Sequence, residues 1–386
     1  MADQIRFDDV RDWVFGRAMP LWLSVGLDRA GGGAVECLTL DGADAGAPFK
    51  RVRAQARQVY AFSHAALLGV TGAAAAADHV WRFLERHARR PDGGWARLLG
   101  RDGSVLDPAA DAYDMAFILY ALAWRARRSE PDACNQAHAV LDAMERLFGL
   151  GEGRGFRAAE DKPEARLQNP HMHLLEAAIE AADACHDQRF ADLATDIVDL
   201  FGRRMFREGV LVEAFDPQWA PIRGAAQRIE PGHLYEWAWL LHRAEAVTGR
   251  KFGDEARALC SFAETHGLDP RTRLASDGLD GPDLVRRDSF RLWPQTEALK
   301  AHLALFEHQG IDGRARIAEV TDQLLDHYLA DAADGGWMDR YGPDWSPEAD
   351  DIPSSILYHL LVAFTELLRL EPDLRAAAVS QRPVSG

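Results

Sequence analysis

The stretch Asn169-Pro170-His171-Met172-His173-Leu174-Leu175-Glu176 has a near-copy further on, Pro231-Gly232-His233-Leu234-Tyr235-Glu236. Each runs Pro, then His-x-x-Glu. Positions i and i+3 of a helix share a face, so each spacing sets a His beside a Glu. Working outward, apolar residues recur at i, i+3, i+4 and i+7 in about a dozen segments, starting near 6, 49, 73, 109, 130, 168, 187, 230, 252, 292, 313 and 353. Every second start from 49 onward lies about 60 residues from the next. A fixed period marks a repeat architecture, here a helical hairpin plus a connection.

The connections repeat too. Asp92-Gly93-Gly94-Trp95 is echoed by Asp334-Gly335-Gly336-Trp337, and Gly32-Gly33-Ala34-Val35, Gly155-Phe156, Gly209-Val210-Leu211-Val212 and Leu274-Ala275-Ser276 fall at matching places. Gly after a helix is a stop signal, and a short β-prone run after it predicts a small hairpin. Six such units predict an all-α fold, an (α/α)6 barrel or toroid of six helical hairpins with short β-hairpin connections. An open solenoid needs polar end caps, and the last helix, about 353 to 370, is as apolar as the middle ones. No linker divides the chain, so residues 1–386 read as a single (α/α)6-barrel catalytic domain with a loose C-terminal tail from about 372.

Alternate helices begin with Pro at 170, 231, 294 and 353, a residue suited to the first helical position. The same helices carry polar groups in their first turns. In a toroid they form the inner ring, with those ends converging on one mouth.

Composition narrows the function. Of 386 residues, 47% are hydrophobic and 27% charged, which excludes a disordered or fibrous chain. With 44 Lys and Arg against 60 Asp and Glu, the net charge of −16 lacks the basic footprint of a nucleic-acid binder. No apolar run reaches the roughly 20 residues of a membrane span. The start, Met1-Ala2-Asp3-Gln4-Ile5, reads as neither signal nor transit peptide, which points to a cytoplasmic protein. Cys37, Cys134, Cys185 and Cys260 lie far apart without a CxxC pair, predicting reduced thiols and no cysteine-based zinc site.

Several inner-ring positions can carry chemistry. Near a helix N-terminus the macrodipole disfavours imidazolium, whereas a neighbouring carboxylate favours it; a His between these effects suits a general base. His171 and His173 point two ways on a helix, and neither His-x-x-Glu has the second His of the zinc-protease motif, so no metal is expected. The first inner helix holds Arg51, Arg53, Gln55, Arg57 and Tyr60 among apolar neighbours, which sends at least one Arg into a polar cavity. The second opens with Asp111, Tyr113 and Asp114, the two aspartates being capping residues in their own right. Of the eleven Trp, Trp95, Trp293 and Trp337 stand at loop or helix starts, where an aromatic face can stack on a sugar ring. His359, amid apolar neighbours, reads equally as a satisfied core residue.

Taken together, Arg57-Gln58-Val59-Tyr60-Ala61-Phe62, the two His-x-x-Glu stretches, Trp293-Pro294-Gln295-Thr296-Glu297 and Tyr358-His359 resemble the N-acylglucosamine 2-epimerase superfamily. Trp293-Pro294-Gln295-Thr296-Glu297 and Leu357-Tyr358-His359 look most like its D-mannose isomerase branch. The resemblance implies an (α/α)6 barrel and cofactor-free, metal-independent interconversion of D-mannose and D-fructose through a cis-enediol. The alternative is 2-epimerisation of an N-acylglucosamine or a β-1,4-linked disaccharide. It also implies His233 and His359 as catalytic residues, and Arg57, Tyr113, Asn169, His173, Glu236, Trp293 and Glu297 as substrate-binding or histidine-orienting ones. In this reading His233, oriented by Glu236, moves the proton between C2 and C1. His359 serves ring opening, and Arg57 or His173 stabilises the enediolate. No nicotinamide, flavin or P-loop fingerprint is present. Partners are a small sugar and, in one arrangement the pattern allows, a second copy in a homodimer. A glycosidase using Glu236 and Glu297, or a helical scaffold with separately buried histidines, remains as a rival reading.

Overall fold

In the computed structural model, which describes residues 5–151, 153–207 and 209–380, helices dominate. The chain begins with α1 (Phe7–Arg11), which continues through a π-helical turn (Asp12–Ala18) into α2 (Met19–Ser24). There follow α3 (Val52–Leu67), α4 (Ala73–His87), α5 (Ala112–Arg127), α6 (Ala133–Phe148), α7 (Gln168–Cys185) and α8 (Gln188–Leu200). Then come α9 (Pro231–Thr248), α10 (Gly253–Phe262), α11 (Leu292–Gln309), α12 (Arg314–Gln323), α13 (Leu357–Arg369) and α14 (Glu371–Ser380).

Among the described residues, six helices form an inner ring: α3 packs on α5, α5 on α7, α7 on α9, α9 on α11, α11 on α13, and α13 back on α3. Their partners α4, α6, α8, α10 and α12 pack outside them, and α1 backs α13. This is the (α/α)6 toroid expected from the 60-residue period. The inner helices are apolar nearly all round, as helices buried on every side must be. The outer ones are amphipathic; α4, for example, buries Ala73, Ala76, Ala77, Val80, Trp81, Phe83 and Leu84 and exposes Ala74, Ala75, Arg82 and Arg86.

Short antiparallel strands form the rim at the inner helices' N-termini. Phe49–Arg51 precedes α3, Arg166–Leu167 precedes α7, Arg228–Ile229 precedes α9 and Phe290–Arg291 precedes α11. Each pairs with a neighbouring connection, for example Phe290 opposite Tyr341. Cys37–Thr39 pairs with Asp351–Pro353 and so joins the first connection to the last inner helix. Two of the expected starts shift: the residues near 49 and 353 are strand, and helix begins at Val52 and Leu357. Only Pro231 occupies a first helical position. Pro170 and Pro294 are third residues of α7 and α11, where the missing N–H is still harmless, and Pro353 ends a strand.

A second repeat lies at the fourth residue of alternate inner helices. Gln55 of α3 exchanges two hydrogen bonds with the Ala34 backbone, and Gln295 of α11 does the same with Ala275. His171 of α7 accepts from the Phe156 amide through Nε2 and donates from Nδ1 to the Leu167 carbonyl. These side chains pin the preceding connection to the ring, which is the structural role of Gln55 and His171.

The cysteine expectation needs correcting. Cys134 and Cys185 form a disulfide, with Cα atoms 5.7 Å apart, while Cys37 and Cys260 are free and buried. Stacking neighbouring hairpins brings the start of α6 to the end of α7, a proximity that sequence separation hides. The segment expected to be loose from 372 is helical through Ser380; Leu374 is buried, and Glu371 holds Arg11 and Arg375. Residues 381–386, and the N-terminal residues 1–4 of the leader reading, lie outside the described residues. No described helix is long and apolar enough to cross a membrane.

Candidate active site

The N-terminal ends of the inner helices open into one cavity of about 610 Å³. Every site residue expected from the sequence except Glu297 lines it: Arg57 from α3, Tyr113 from α5, Asn169 and His173 from α7, His233 and Glu236 from α9, Trp293 from α11 and His359 from α13. Glu297 lies just beneath, bonded to His359. The scaffold reading required separately buried histidines and is set aside. Of the three Trp singled out, Trp293 alone lines the cavity. Trp337 is fully buried on Trp22, and Trp95 packs on Trp81.

Trp293 stands between the two catalytic candidates. Its ring centroid is 5.0 Å from that of His233 and 5.7 Å from that of His359. The indole lies so close to α9 that a Cβ on Gly232 would fall 2.5 Å from it, so only glycine fits there. Arg57 donates from Nη2 to the Tyr113 hydroxyl at 2.7 Å and lies over the Phe117 and Tyr358 rings.

Each histidine is held by a carboxylate at Nδ1, which leaves Nε2 for the cavity. His173 pairs with Glu176 at 3.2 Å, as its i, i+3 spacing predicts. His359 pairs with Glu297 at 2.8 Å. His233 departs from expectation: its partner is Glu213 at 2.9 Å, with Glu230 at 3.8 Å, and not Glu236. Glu213 sits beside the Ala214–Phe215 strand, where it also receives Gln168 and the Glu230 amide. Arg228, from the short strand before α9, lines the cavity and binds Glu230; Arg223 is not part of the lining.

The surroundings charge the two rings oppositely. Burial disfavours imidazolium at His233, but the Glu213 and Glu230 carboxylates outweigh it and push the ring up to about 9. At His359 burial acts together with the positive charges of Arg57 and Lys300, and the ring is held well below the ordinary imidazole range. Burial likewise lowers His173 to about 4, against the pull of Glu176. These surroundings favour imidazolium at His233 and the neutral ring at His359 and His173.

Three His and Glu groups bring possible ligand atoms within 4.8 Å of one another: His173 with Glu176 and Glu236, His233 with Glu213 and Glu230, and His359 with Glu236 and Glu297. In each, the His already gives Nδ1 to a carboxylate. The geometry is that of oriented acid–base pairs, in which the carboxylate fixes the tautomer.

The sequence profile of the N-acylglucosamine 2-epimerase (GlcNAc 2-epimerase) family matches residues 33–363. The chain belongs to this family. A "Mannose-6-phosphate isomerase" of Rhizobium meliloti (strain 1021) is 33% identical over 380 residues, covering 95% of this chain and 98% of the relative. A "D-mannose isomerase" of Thermobifida fusca is 29% identical over 371 residues, covering 88% and 90%. Among solved structures, the "Crystal structure of D-mannose isomerase" superposes with a TM-score of 0.85 at 19% identity, covering 93% of this chain and 97% of that one. This member of the N-acylglucosamine 2-epimerase family is a sugar isomerase or epimerase, similar to the D-mannose isomerase branch.

Proposed function

We propose that the protein interconverts D-mannose and D-fructose by moving one proton between C2 and C1 through a cis-enediol. The observation that carries this reading is His233 and His359, each held at Nδ1 by a carboxylate, flanking Trp293 in one cavity, in surroundings that favour imidazolium at the first and the neutral ring at the second. Charged His233 donates its Nε2 proton to the ring oxygen of the pyranose as the C1–O5 bond breaks, and it takes back the O1 hydroxyl proton as the carbonyl forms. Neutral His359, with Nδ1–H held by Glu297, takes the C2 proton on Nε2 and returns it to C1, while the O2 hydroxyl proton passes to O1 across the cis-enediolate. One base on one face suffices for this transfer. The division of labour is the reverse of that read from sequence, because Glu213 supplies the charge on His233. Trp293 offers an apolar face to the sugar, and Arg57 offers positive charge to the enediolate oxygens.

A second reading, a phosphorylated aldose, has its own support. Lys162 and Arg340 line the exposed mouth, and their side chains make no hydrogen bond or ion pair among the described residues. The name of the Rhizobium meliloti relative fits that reading.

Proton NMR of the enzyme with D-mannose in D2O and EDTA tests the proposal. Fructose deuterated at C1 is expected. Deuterium at C2 of an inverted aldose without ketose would replace isomerisation by 2-epimerisation. Turnover of mannose 6-phosphate alone would select the second reading.

A further inference from the structure

The cavity floor holds more negative charge than its partners neutralise. Glu176, Glu236 and Glu297 come from three successive inner helices, and all are buried. A carboxyl oxygen of Glu236 lies within 4.8 Å of one on Glu176 and of one on Glu297. Glu176 accepts from the Tyr358 hydroxyl at 2.5 Å and pairs with His173 at 3.2 Å. Glu297 pairs with His359 at 2.8 Å and has the Lys300 ammonium at 2.6 Å. Glu236 has no hydrogen bond on either oxygen, and His173 Nδ1 stands 3.8 Å away.

Charge counting then locates a proton. The groups facing Glu236 are Glu176 and neutral His173 on α7, Glu297 and Lys300 on α11, Tyr358 and neutral His359 on α13, Tyr113 on α5 and His233 on its own helix. His233 is already matched by Glu213 and Glu230. The remaining cations of the cavity are Lys300 and Arg57, the latter bonded to the Tyr113 hydroxyl and not to a carboxylate, and two cations do not balance three carboxylates in a low-dielectric floor. Carboxylates this close do not all ionise, and the proton goes to the one without donors.

We propose that Glu236 is a neutral carboxylic acid at neutral pH and donates a hydrogen bond from the cavity floor to the carbonyl oxygen of the open-chain sugar. This rests on the enediol reading above and adds a catalytic group to it. One of its oxygens lies within 4.8 Å of a His359 ring nitrogen, so the base and the donor reach adjacent atoms of one substrate. The proton stays on Glu236, and the hydrogen bond strengthens as charge grows on the oxygen it meets. Burial, and then the charges of Glu297 and Glu176, hold Glu236 well above the usual carboxylate range, with Lys300 acting against them.

Infrared spectroscopy of the full-length protein at about pH 8 tests the protonation. Asp114 and Asp339, both pushed up only to about 6, are ionised there. A protonated-carboxyl band is expected in the wild type and in Glu213→Gln, and its loss is expected in Glu236→Gln. A wild type without the band, or a band that survives in Glu236→Gln, overturns the proposal. Should Glu236→Gln fail to fold, carboxyl-13C glutamate NMR of the wild type replaces it: one carboxyl keeps its protonated shift at about pH 8, or the proposal fails. Turnover tests the donor. Glu236→Gln, which keeps shape and an N–H donor, retains kcat within about 10-fold, whereas Glu236→Leu loses roughly 10²–10³-fold. Equal losses in both variants overturn the donor role. The spectroscopic measurements need no substrate, so their failure is distinct from a failure to turn over mannose.

Discussion

Replacing Glu213 by Gln removes the carboxylate bonded to His233 while keeping a hydrogen-bonding side chain. In the wild type, kcat/KM is expected to fall above about pH 9, where His233 loses its proton, and its acid limb lies below 6.5, set by His359. Glu213→Gln moves the alkaline limb down toward 6.5, read directly from the pH–rate profile. His359→Asn lowers kcat by about 10²–10⁴-fold and abolishes C1 proton exchange on fructose in D2O. His233→Asn keeps that exchange on the open-chain fraction, because its work precedes enolisation; loss of exchange there would return the base role to His233. Stability follows the same charge. His233 titrates higher folded than unfolded, so its pairing stabilises fully below about 6.5 and is lost as pH rises through about 9. The urea midpoint difference between wild type and His233→Gln should shrink across that window. His173 and its Glu were legible as an i, i+3 pair, whereas Glu213 was not. His233 is the third residue of α9, and side chains lean toward a helix's N-terminus. Its ring therefore meets the chain ahead of the helix, and no spacing within the helix reports that contact.

Helix against helix, Trp293 depends on the absence of a side chain across from it. Gly232→Ala places a Cβ against the indole and Pro294, an overpacking that costs about 1–3 kcal/mol. Because the indole lies beside both rings proposed to carry the chemistry, kcat/KM is expected to fall together with the melting temperature; a variant that loses stability alone would separate Trp293 from the chemistry. The disulfide between α6 and α7 belongs to this scale too. It closes a loop of sequence separation 51, for which chain entropy predicts about 4 kcal/mol of stability. Urea unfolding with and without reductant measures it, with the active-site pH profile expected to stay unchanged, since both cysteines sit at the barrel end away from the mouth. The hairpin units were legible because inner and outer helices differ in apolar pattern. The first-position reading of the prolines is too strict, since a proline is tolerated anywhere in the first turn, as Pro170 and Pro294 are, and Pro353 ends the strand ahead of α13.

For the molecule as a whole, the period of about 60 residues carried the prediction. Each unit buries its inner face only against its neighbours, so six similar units find one another wherever they lie in the chain. The cavity was legible for the same reason: equivalent first turns must converge. The charge on its floor was not, because Glu176, Glu236 and Glu297 were each legible as partners of a histidine or of the sugar, and only the closing of the ring sets the three carboxyls against one another. The pairing of Cys37–Thr39 with Asp351–Pro353, and of α13 with α3, has a consequence for how this protein comes apart. An open array of hairpins frays from its ends, shedding terminal units at little cost. A closed ring has no end to fray from. Opening any seam exposes two faces at once, so native-state hydrogen exchange should give the inner helices, first and last alike, one common opening free energy. Trimming the chain through Thr39 removes one of the two pairings at the seam and leaves α13 on α3, so it should lower that common free energy.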